Sequence, residues 1–302
     1  MTRPIAFILN THAGQGLNRL WLNDNLLAME AIAAGGPVSM VETGDQVRAA
    51  VAHALTHQCQ TVVAGGGDGT LNAVASELAN RPVALGVLPL GTLNHFARDL
   101  GIPQDPSVAL ECIAAGNTMT VDIGEVNGHF FLNNSSIGLY VDMVRDRDRQ
   151  QTRLGRGKWL AFVWAVWGTL RRYPFLTVTL TFQGRAHQHR TPLVFIGNNT
   201  YRTEGLRIGQ RDDLRAGVLG VYVTDSPDRW RLLGLGLRAL VGRLRQGTDF
   251  SSLSTTELRI DTGHRWLRVA TDGELRRLAT PLHYRIHPLA LRVIVPARAA
   301  PR

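Results

Sequence analysis

Lysine is almost missing from this chain. Its 302 residues contain one, Lys158, although lysine and arginine together number 33. Arginine therefore carries nearly all of the positive side of a formal net charge of +9. An excess of that size favours anionic partners, whether nucleic acid, acidic lipid headgroups or polyphosphates. A uniformly basic surface would give the same composition. Cysteine is equally scarce. Cys59 and Cys112 show no metal-ligand spacing and no disulfide framework, which fits a reducing compartment. No run of about 18 apolar residues is available to span a bilayer. The N-terminus enters an apolar stretch at Pro4 to Leu9 without the charged-then-apolar pattern of an export signal. A cytoplasmic protein of one large or two medium domains is expected.

What is abundant is glycine, and its placement is informative. Val62-Val63-Ala64-Gly65-Gly66-Gly67-Asp68-Gly69-Thr70-Leu71-Asn72 reads as a buried strand, a glycine turn and the start of a helix. Glycines there let backbone N–H groups approach an anion closely. The helix start adds unpaired donors and a positive dipole end. Asp68 is the odd member, because a carboxylate in a phosphate cradle repels the phosphate. Either a cation sits between them, which points to Mg²⁺, or Asp68 holds the loop by hydrogen bonds. The loop lacks the Gly-Lys-Ser/Thr of a P-loop, and G-x-G-x-x-T replaces the dinucleotide fingerprint, so neither class applies.

Strand-like and helix-like segments alternate through residue 116. Strands are expected at Ile5 to Leu9, Pro37 to Val41, Thr61 to Ala64 and Pro82 to Leu88. Helices are expected at about Leu17 to Ala34, Gln46 to His57 and Leu71 to Leu78. This order predicts a doubly wound parallel sheet with its ligand beyond the carboxyl ends of the strands. The loops at Asn10, Thr43, Gly66 and Gly91 all follow strands and so gather at one rim. From Thr118 short β-like runs dominate, at Met119 to Val126, His129 to Ser136, Leu176 to Phe182, Thr191 to Ile196, Val218 to Val223, Glu257 to Ile260, Trp266 to Ala270, Leu282 to Ile286 and Ala290 to Val295. They predict an antiparallel sandwich. The expected domains are thus 1–117, α/β, and 118–296, β-sandwich. Two segments interrupt the β texture. Lys158 to Trp167 is apolar nearly all round, and Arg229 to Arg245 sets Leu233, Leu237, Leu240 and Leu244 against Arg231, Arg238 and Arg245. Leucine and tryptophan opposite arginine suit a lipid interface, and equally a helix packed on the sandwich.

If the cradle takes phosphates, Gly66, Gly67, Gly69, Thr70 and Thr92 offer backbone and hydroxyl donors to them. Asp272 and Glu274 are the acid–base candidates. They flank Gly273, and residues i and i+2 share one face of a strand. An Asp-Gly hairpin turn is the plain alternative.

These motifs carry a resemblance. Gly66-Gly67-Asp68-Gly69-Thr70-Leu71-Asn72, then Leu88-Pro89-Leu90-Gly91-Thr92-Leu93-Asn94 and Phe96-Ala97-Arg98, resemble the catalytic domain of the diacylglycerol kinase family. Bacterial soluble lipid kinases, sphingosine kinases and ceramide kinases belong to that family. Asn10-Thr11-His12-Ala13-Gly14-Gln15-Gly16 resembles its first nucleotide loop, and Thr271-Asp272-Gly273-Glu274 its late catalytic motif. The resemblance implies transfer of the γ-phosphate of ATP, with Mg²⁺, to a lipid hydroxyl at the inner membrane face. It adds Asn10, Thr43, Asn72 and Asn94 to the nucleotide contacts, with Asn94 bracing the cradle. It makes Glu274 the proton acceptor, with Asp272 supporting it or a metal, and gives Asp68 a catalytic and metal-binding part. Asp122 corresponds to an acidic position that joins the Mg²⁺ site, directly or through water. It also implies that the last strand, 290–296, returns to the first domain.

The chain departs from the family at two places. Asn94-His95 replaces the usual Asn-Asp, and Arg215-Ala216-Gly217-Val218-Leu219 replaces an Asp-Asp-Gly frame, with Asp212 and Asp213 out of register. Both weaken the expectation of an accessory metal site. An NAD kinase shares the glycine loop, but no Gly-Ser-Thr-Ala-Tyr-like segment is found. Asn133-Asn134-Ser135-Ser136-Ile137-Gly138 and the Asp-Gly-Glu motif suit the lipid branch. A nucleotide-sensing or membrane-binding protein that has lost catalysis is the rival from another class. A nucleic-acid binder would explain the charge and none of the motifs, so a lipid substrate and an anionic membrane surface are the expected partners. Nothing in the chain sets its oligomeric state; a homodimer is compatible with it.

Overall fold

The computed structural model describes residues 4–13, 19–138, 175–202, 211, 213–224 and 250–297. The apolar 158–167 segment, the amphipathic 229–245 run, position 212 and the glycines at 14 and 16 lie outside the described residues. Two compact units are formed, one from Met1–Ile123 with His287–Arg302 and one from Gly124–Ile286.

The first unit is built on the expected parallel sheet. Its strands are β1 (Ile5–Asn10), β2 (Val38–Val41), β3 (Thr61–Gly66) and β4 (Ala84–Pro89), in spatial order β2-β1-β3-β4. Phe7, Leu9, Val62, Val63, Leu85 and Val87 are buried, as continuous apolar strands covered on both faces should be. The helices are α1 (Arg19–Asp24), α2 (Leu26–Ala33), α3 (Gly44–Thr56), α4 (Asp68–Leu78), α5 (His95–Asp99) and α6 (Pro106–Ala115). The single helix expected from 17 to 34 is two. Asn25 breaks it, turning its side-chain amide onto the Trp21 carbonyl at 2.9 Å.

The second unit holds two antiparallel arrays. Its strands begin with the end of β5 (Thr118–Val126), β6 (His129–Phe131), β7 (Asn134–Gly138), β8 (Leu176–Phe182), β9 (Arg185–Thr191), β10 (Leu193–Asn198) and β11 (Leu219–Val223). Next come β12 (Ser251–Thr255), β13 (Glu257–Thr262), β14 (Trp266–Thr271), β15 (Glu274–Ala279) and the first residues of β16 (Leu282–Ile294). One sheet runs β12-β11-β10-β7-β14-β15; in the other, β16, β13, β8 and β9 pair in turn, and β5 pairs β6. Ile137, Val194, Ile196, Val221 and Val269 from the first array meet Val178, Leu180, Leu258, Ile260 and Tyr284 from the second in one core. This is the expected β-sandwich.

Three expected strands are rearranged. The run 129–136 is split into β6 and β7 at Leu132-Asn133. Conversely, 282–286 and 290–295 are one strand, β16, continuous past Pro288 and a left-handed Leu289 (φ 52°). Its last residues return to the first unit, where Arg292 and Val293 pair parallel to Ala84 and Leu85 of β4. Among the described residues no helix is long and apolar enough to cross a membrane.

Candidate active site

The register of the parallel sheet sets the rim of the first unit. Asn10 pairs with Val41, Leu9 with Gly65, and Gly65 with Leu88, so β1, β2, β3 and β4 end at one level. Asn10, Thr43, Gly66 and Gly91 follow within a few residues of those ends. α4 then starts at Asp68, three residues earlier than its apolar periodicity indicates. Gly67, extended at φ −91° and ψ −176°, is its N-cap and offers no side-chain cap. The first-turn N–H groups of Asp68, Gly69 and Thr70 have no carbonyl four residues back within the helix, as at any helix N-terminus. A Cβ at Gly66 would come within 2.5 Å of the Thr70 side chain. One at Gly91 would collide with the Gly67 backbone and lie 2.7 Å from Asn94 Oδ1. Glycine is therefore what lets the two loops touch.

The polar motif side chains here hold those loops. Asn10 Nδ2 donates to Thr70 Oγ1 at 2.9 Å, and its Oδ1 accepts from the His12 N–H at 2.9 Å. The end of β1 is so tied to α4. Thr43 is the N-cap of α3 in a reciprocal capping box with Gln46. Asn94, buried and left-handed (φ 49°), turns its amide back to the Gly91 carbonyl at 2.9 Å. Asp68 is the brace between the loops. Its two oxygens accept the His95 and Phe96 N–H groups, both at 3.3 Å, and so cap α5 from outside that helix. Asp68 thus holds the loop by hydrogen bonds, one of the two roles the sequence allows it. Asn72 is buried in the second turn of α4, and Thr92 is exposed beside Gly91. Asp122 is buried on β5, where it accepts the N–H of the left-handed Leu289 at 2.8 Å. It thereby fixes the irregularity inside β16.

In the second unit, Thr271-Asp272-Gly273-Glu274 joins β14 to β15. Asp272 at φ 48° and Gly273 at φ 83° make a two-residue primed turn, and Thr271 pairs with Glu274. The hairpin reading and the acid–base reading thus describe the same residues. Asp272 points back into the fold. Its carboxylate accepts from the N–H groups of Leu132 at 2.7 Å, Asn133 at 2.8 Å and Asn134 at 3.0 Å. Asn134 returns its carbonyl to the Asp272 N–H at 2.9 Å. This is why the strand expected over 129–136 breaks: its N–H groups turn to a carboxylate instead of a neighbouring strand. Burial pushes the Asp272 carboxyl up to about 6, against the three N–H donors and the nearby Arg211 guanidinium, which favour the ionised form.

Arg211 was not foreseeable from sequence. It is 5% exposed and donates to the carbonyls of Leu132 (2.6 Å) and Asn198 (3.1 Å) and to Asn133 Oδ1 (2.9 Å). Glu274 differs from Asp272 in every respect. Its side chain is 48% exposed, and its carboxylate meets Arg276 Nη2 at 2.9 Å. Arg276 also escaped the motif reading, although its i+2 spacing from Glu274 on a strand was a usable signal. Among the described residues, no three His, Cys, Asp or Glu side chains are grouped to hold a metal ion.

Comparison with known proteins follows the same division. Residues 4–126 match the diacylglycerol kinase catalytic domain, and residues 135–295 match the YegS C-terminal NAD kinase beta sandwich-like domain. A protein of Klebsiella pneumoniae (strain 342) named "Probable lipid kinase YegS-like" is 43% identical over 129 residues, 41% of this chain and 43% of that one. A diacylglycerol kinase of Staphylococcus aureus (strain JH9) is 37% identical over 143 residues, 46% of this chain and 44% of that one. The chain therefore matches less than half the length of these curated relatives. The crystal structure of a diacylglycerol kinase from Bacillus anthracis (strain Sterne) is alike in fold, with a TM-score of 0.70 at 21% identity over 99% of this chain and 98% of that one. Over 135–295, more than half of its length, the chain belongs to the family of the YegS C-terminal NAD kinase beta sandwich-like domain, and the part before it matches the diacylglycerol kinase catalytic domain.

Proposed function

We propose that this protein is an ATP-dependent lipid kinase that moves the γ-phosphate of ATP to a lipid hydroxyl, diacylglycerol or a related lipid. The observation that carries this reading is the N-terminus of α4. It is entered through glycines, has no side-chain cap, and is flanked by a second glycine loop locked in place through Asp68 and Asn94. Such an end receives phosphate oxygens on backbone N–H groups and on the positive end of a helix dipole. Glu274, exposed at the mouth of its hairpin, is the base that takes the proton from the acceptor hydroxyl. Asp272 keeps the hairpin in place and takes no proton from substrate.

No ready-made Mg²⁺ cage is present among the described residues: no three His, Cys, Asp or Glu side chains are grouped, Asp68 accepts one backbone N–H on each oxygen and keeps a lone pair on each, and Asp122 is buried against Leu289. We assign the cation to the nucleotide, where phosphates and water supply its coordination. A net charge of +9 supports an acceptor taken from an anionic membrane surface, with the protein peripheral to the inner face.

The test is phosphotransfer from radiolabelled MgATP to a total lipid extract in mixed micelles, with Glu274→Gln alongside. A labelled lipid formed only by the wild type is expected, and its identity names the acceptor. No labelled lipid, with ATP still bound, would replace the lipid-kinase reading by a nucleotide sensor or a kinase of a water-soluble acceptor such as NAD.

A further inference from the structure

We infer that Arg276 is the positioning residue for Glu274 and that His129 holds Arg276 in turn. The inference rests on the lipid-kinase reading for its link to catalysis, and on geometry alone for the clamp itself. Glu274 and Arg276 are two apart on β15 and so share a face. They stand opposite Thr271 and Val269, both fully buried, which marks theirs as the core-facing side of the hairpin. At this sheet edge both remain partly exposed, 48% for Glu274 and 36% for Arg276. Arg276 Nη2 donates to Glu274 Oε2 at 2.9 Å, and Nη1 lies 3.5 Å from His129 Nδ1 on β6. A carboxylate at one end and an imidazole at the other fix the plane of the guanidinium.

Fold stability does not account for this arrangement. Arg276 Nε is buried with no hydrogen-bond partner. A half-exposed ion pair returns little to stability. What the guanidinium does provide is orientation. A glutamate on an edge strand has several rotamers open to it, and a planar fork selects those that face it. A base that must stay within hydrogen-bond reach of one hydroxyl loses rate when it can swing. The clamp also ends where the turn's own anchor ends. Asp272 fixes the hairpin backbone to Leu132, Asn133 and Asn134, and Arg276 fixes its carboxylate to His129, three residues before that segment. Residues 129–134 thus serve as the platform for both parts of the motif.

The variants Arg276→Gln and Arg276→Lys, each also combined with Glu274→Asp, test this by initial rates of label transfer to the same lipid extract. Arg276→Gln is expected to lower kcat by about 10- to 100-fold, with the KM for ATP unchanged within about twofold and the melting temperature within about 2 °C. Arg276→Lys should recover part of the rate. In the Glu274→Asp background, where the shortened carboxylate no longer reaches the fork, Arg276→Gln should cost less than about threefold. Undiminished kcat in Arg276→Gln, or a loss that tracks melting and adds fully to that of Glu274→Asp, would overturn the assignment. A crystal structure of Arg276→Gln tests the clamp without activity. A Glu274 side chain displaced or spread over rotamers supports it, and an unmoved carboxylate refutes it. If the wild type labels no lipid, the kinase reading fails while that structure still decides the clamp.

Discussion

The two units treat their motif residues differently. In the first, nearly every polar side chain of the glycine loops is committed to another part of the protein: Asn10 to Thr70, Asn94 to Gly91, Asp68 to the N–H groups of α5. What remains for a ligand is mainly backbone, with the exposed Thr92 and the hydroxyl hydrogen of Thr70 beside it. In the second, the labour is divided between two carboxylates. Asp272 accepts three N–H groups and is part of the fold, whereas Glu274 stands half-exposed with a guanidinium beside it. A motif residue is therefore not by virtue of its motif a chemical group. Most hold loops so that few others can act.

The sharpest way to break this contrast is to neutralise Glu274. Glu274→Gln should cost about 10³-fold in phosphotransfer, within the range for a lost general base, while urea unfolding stays at the wild-type midpoint. Asp272→Ala should do the opposite in kind. Three orphaned N–H groups are expected to cost about 3 kcal/mol of stability, read in the same urea titration. The pH dependence sharpens the point. A carboxyl raised from its ordinary 3.8 to about 6 binds its proton more tightly in the folded than in the unfolded state. Stability should therefore fall, by about 2 kcal/mol, as pH rises from 4 to 6, and Asp272→Asn should flatten the curve. A rise over that interval would mean that the three N–H donors and Arg211 outweigh burial. The smallest effect is expected at Asp68. Asp68→Ala should remove about 1 kcal/mol by uncapping α5 and weaken ATP binding by about tenfold, measured by calorimetry, with Asp68→Asn in between.

The legible part of this fold was the part that buries apolar residues in order. β1, β3 and β4 announced themselves as apolar runs, and the alternation of strands with helices gave the sheet and the common rim of its loops. The strands that escaped notice, β9, β12 and β15, are all at sheet edges. β9 reads Arg-Ala-His-Gln-His-Arg-Thr and β15 Glu-Leu-Arg-Arg-Leu-Ala; neither alternates, because an edge strand covers little core. Glu274 and Arg276 lie on such a strand, so the Asp-Gly-Glu motif was visible while its clamp was not. Asp68, Asp122 and Asp272 were visible as carboxylates, but their partners are N–H groups at Phe96, Leu289 and Leu132, which no side-chain pattern records. A β16 that continues through Pro288 and a left-handed Leu289 was hidden for the same reason: the group that permits it, Asp122, is far away in sequence.

The measurement that bears most directly on this division of labour is the initial rate of label transfer from ATP to lipid by Glu274→Gln and Asp272→Asn, at saturating ATP and at a temperature where both are folded. The account predicts that Glu274→Gln falls to about a thousandth of the wild-type rate while Asp272→Asn retains a substantial fraction of it. An active Glu274→Gln beside an inactive, fully folded Asp272→Asn would contradict it and make Asp272 the proton acceptor.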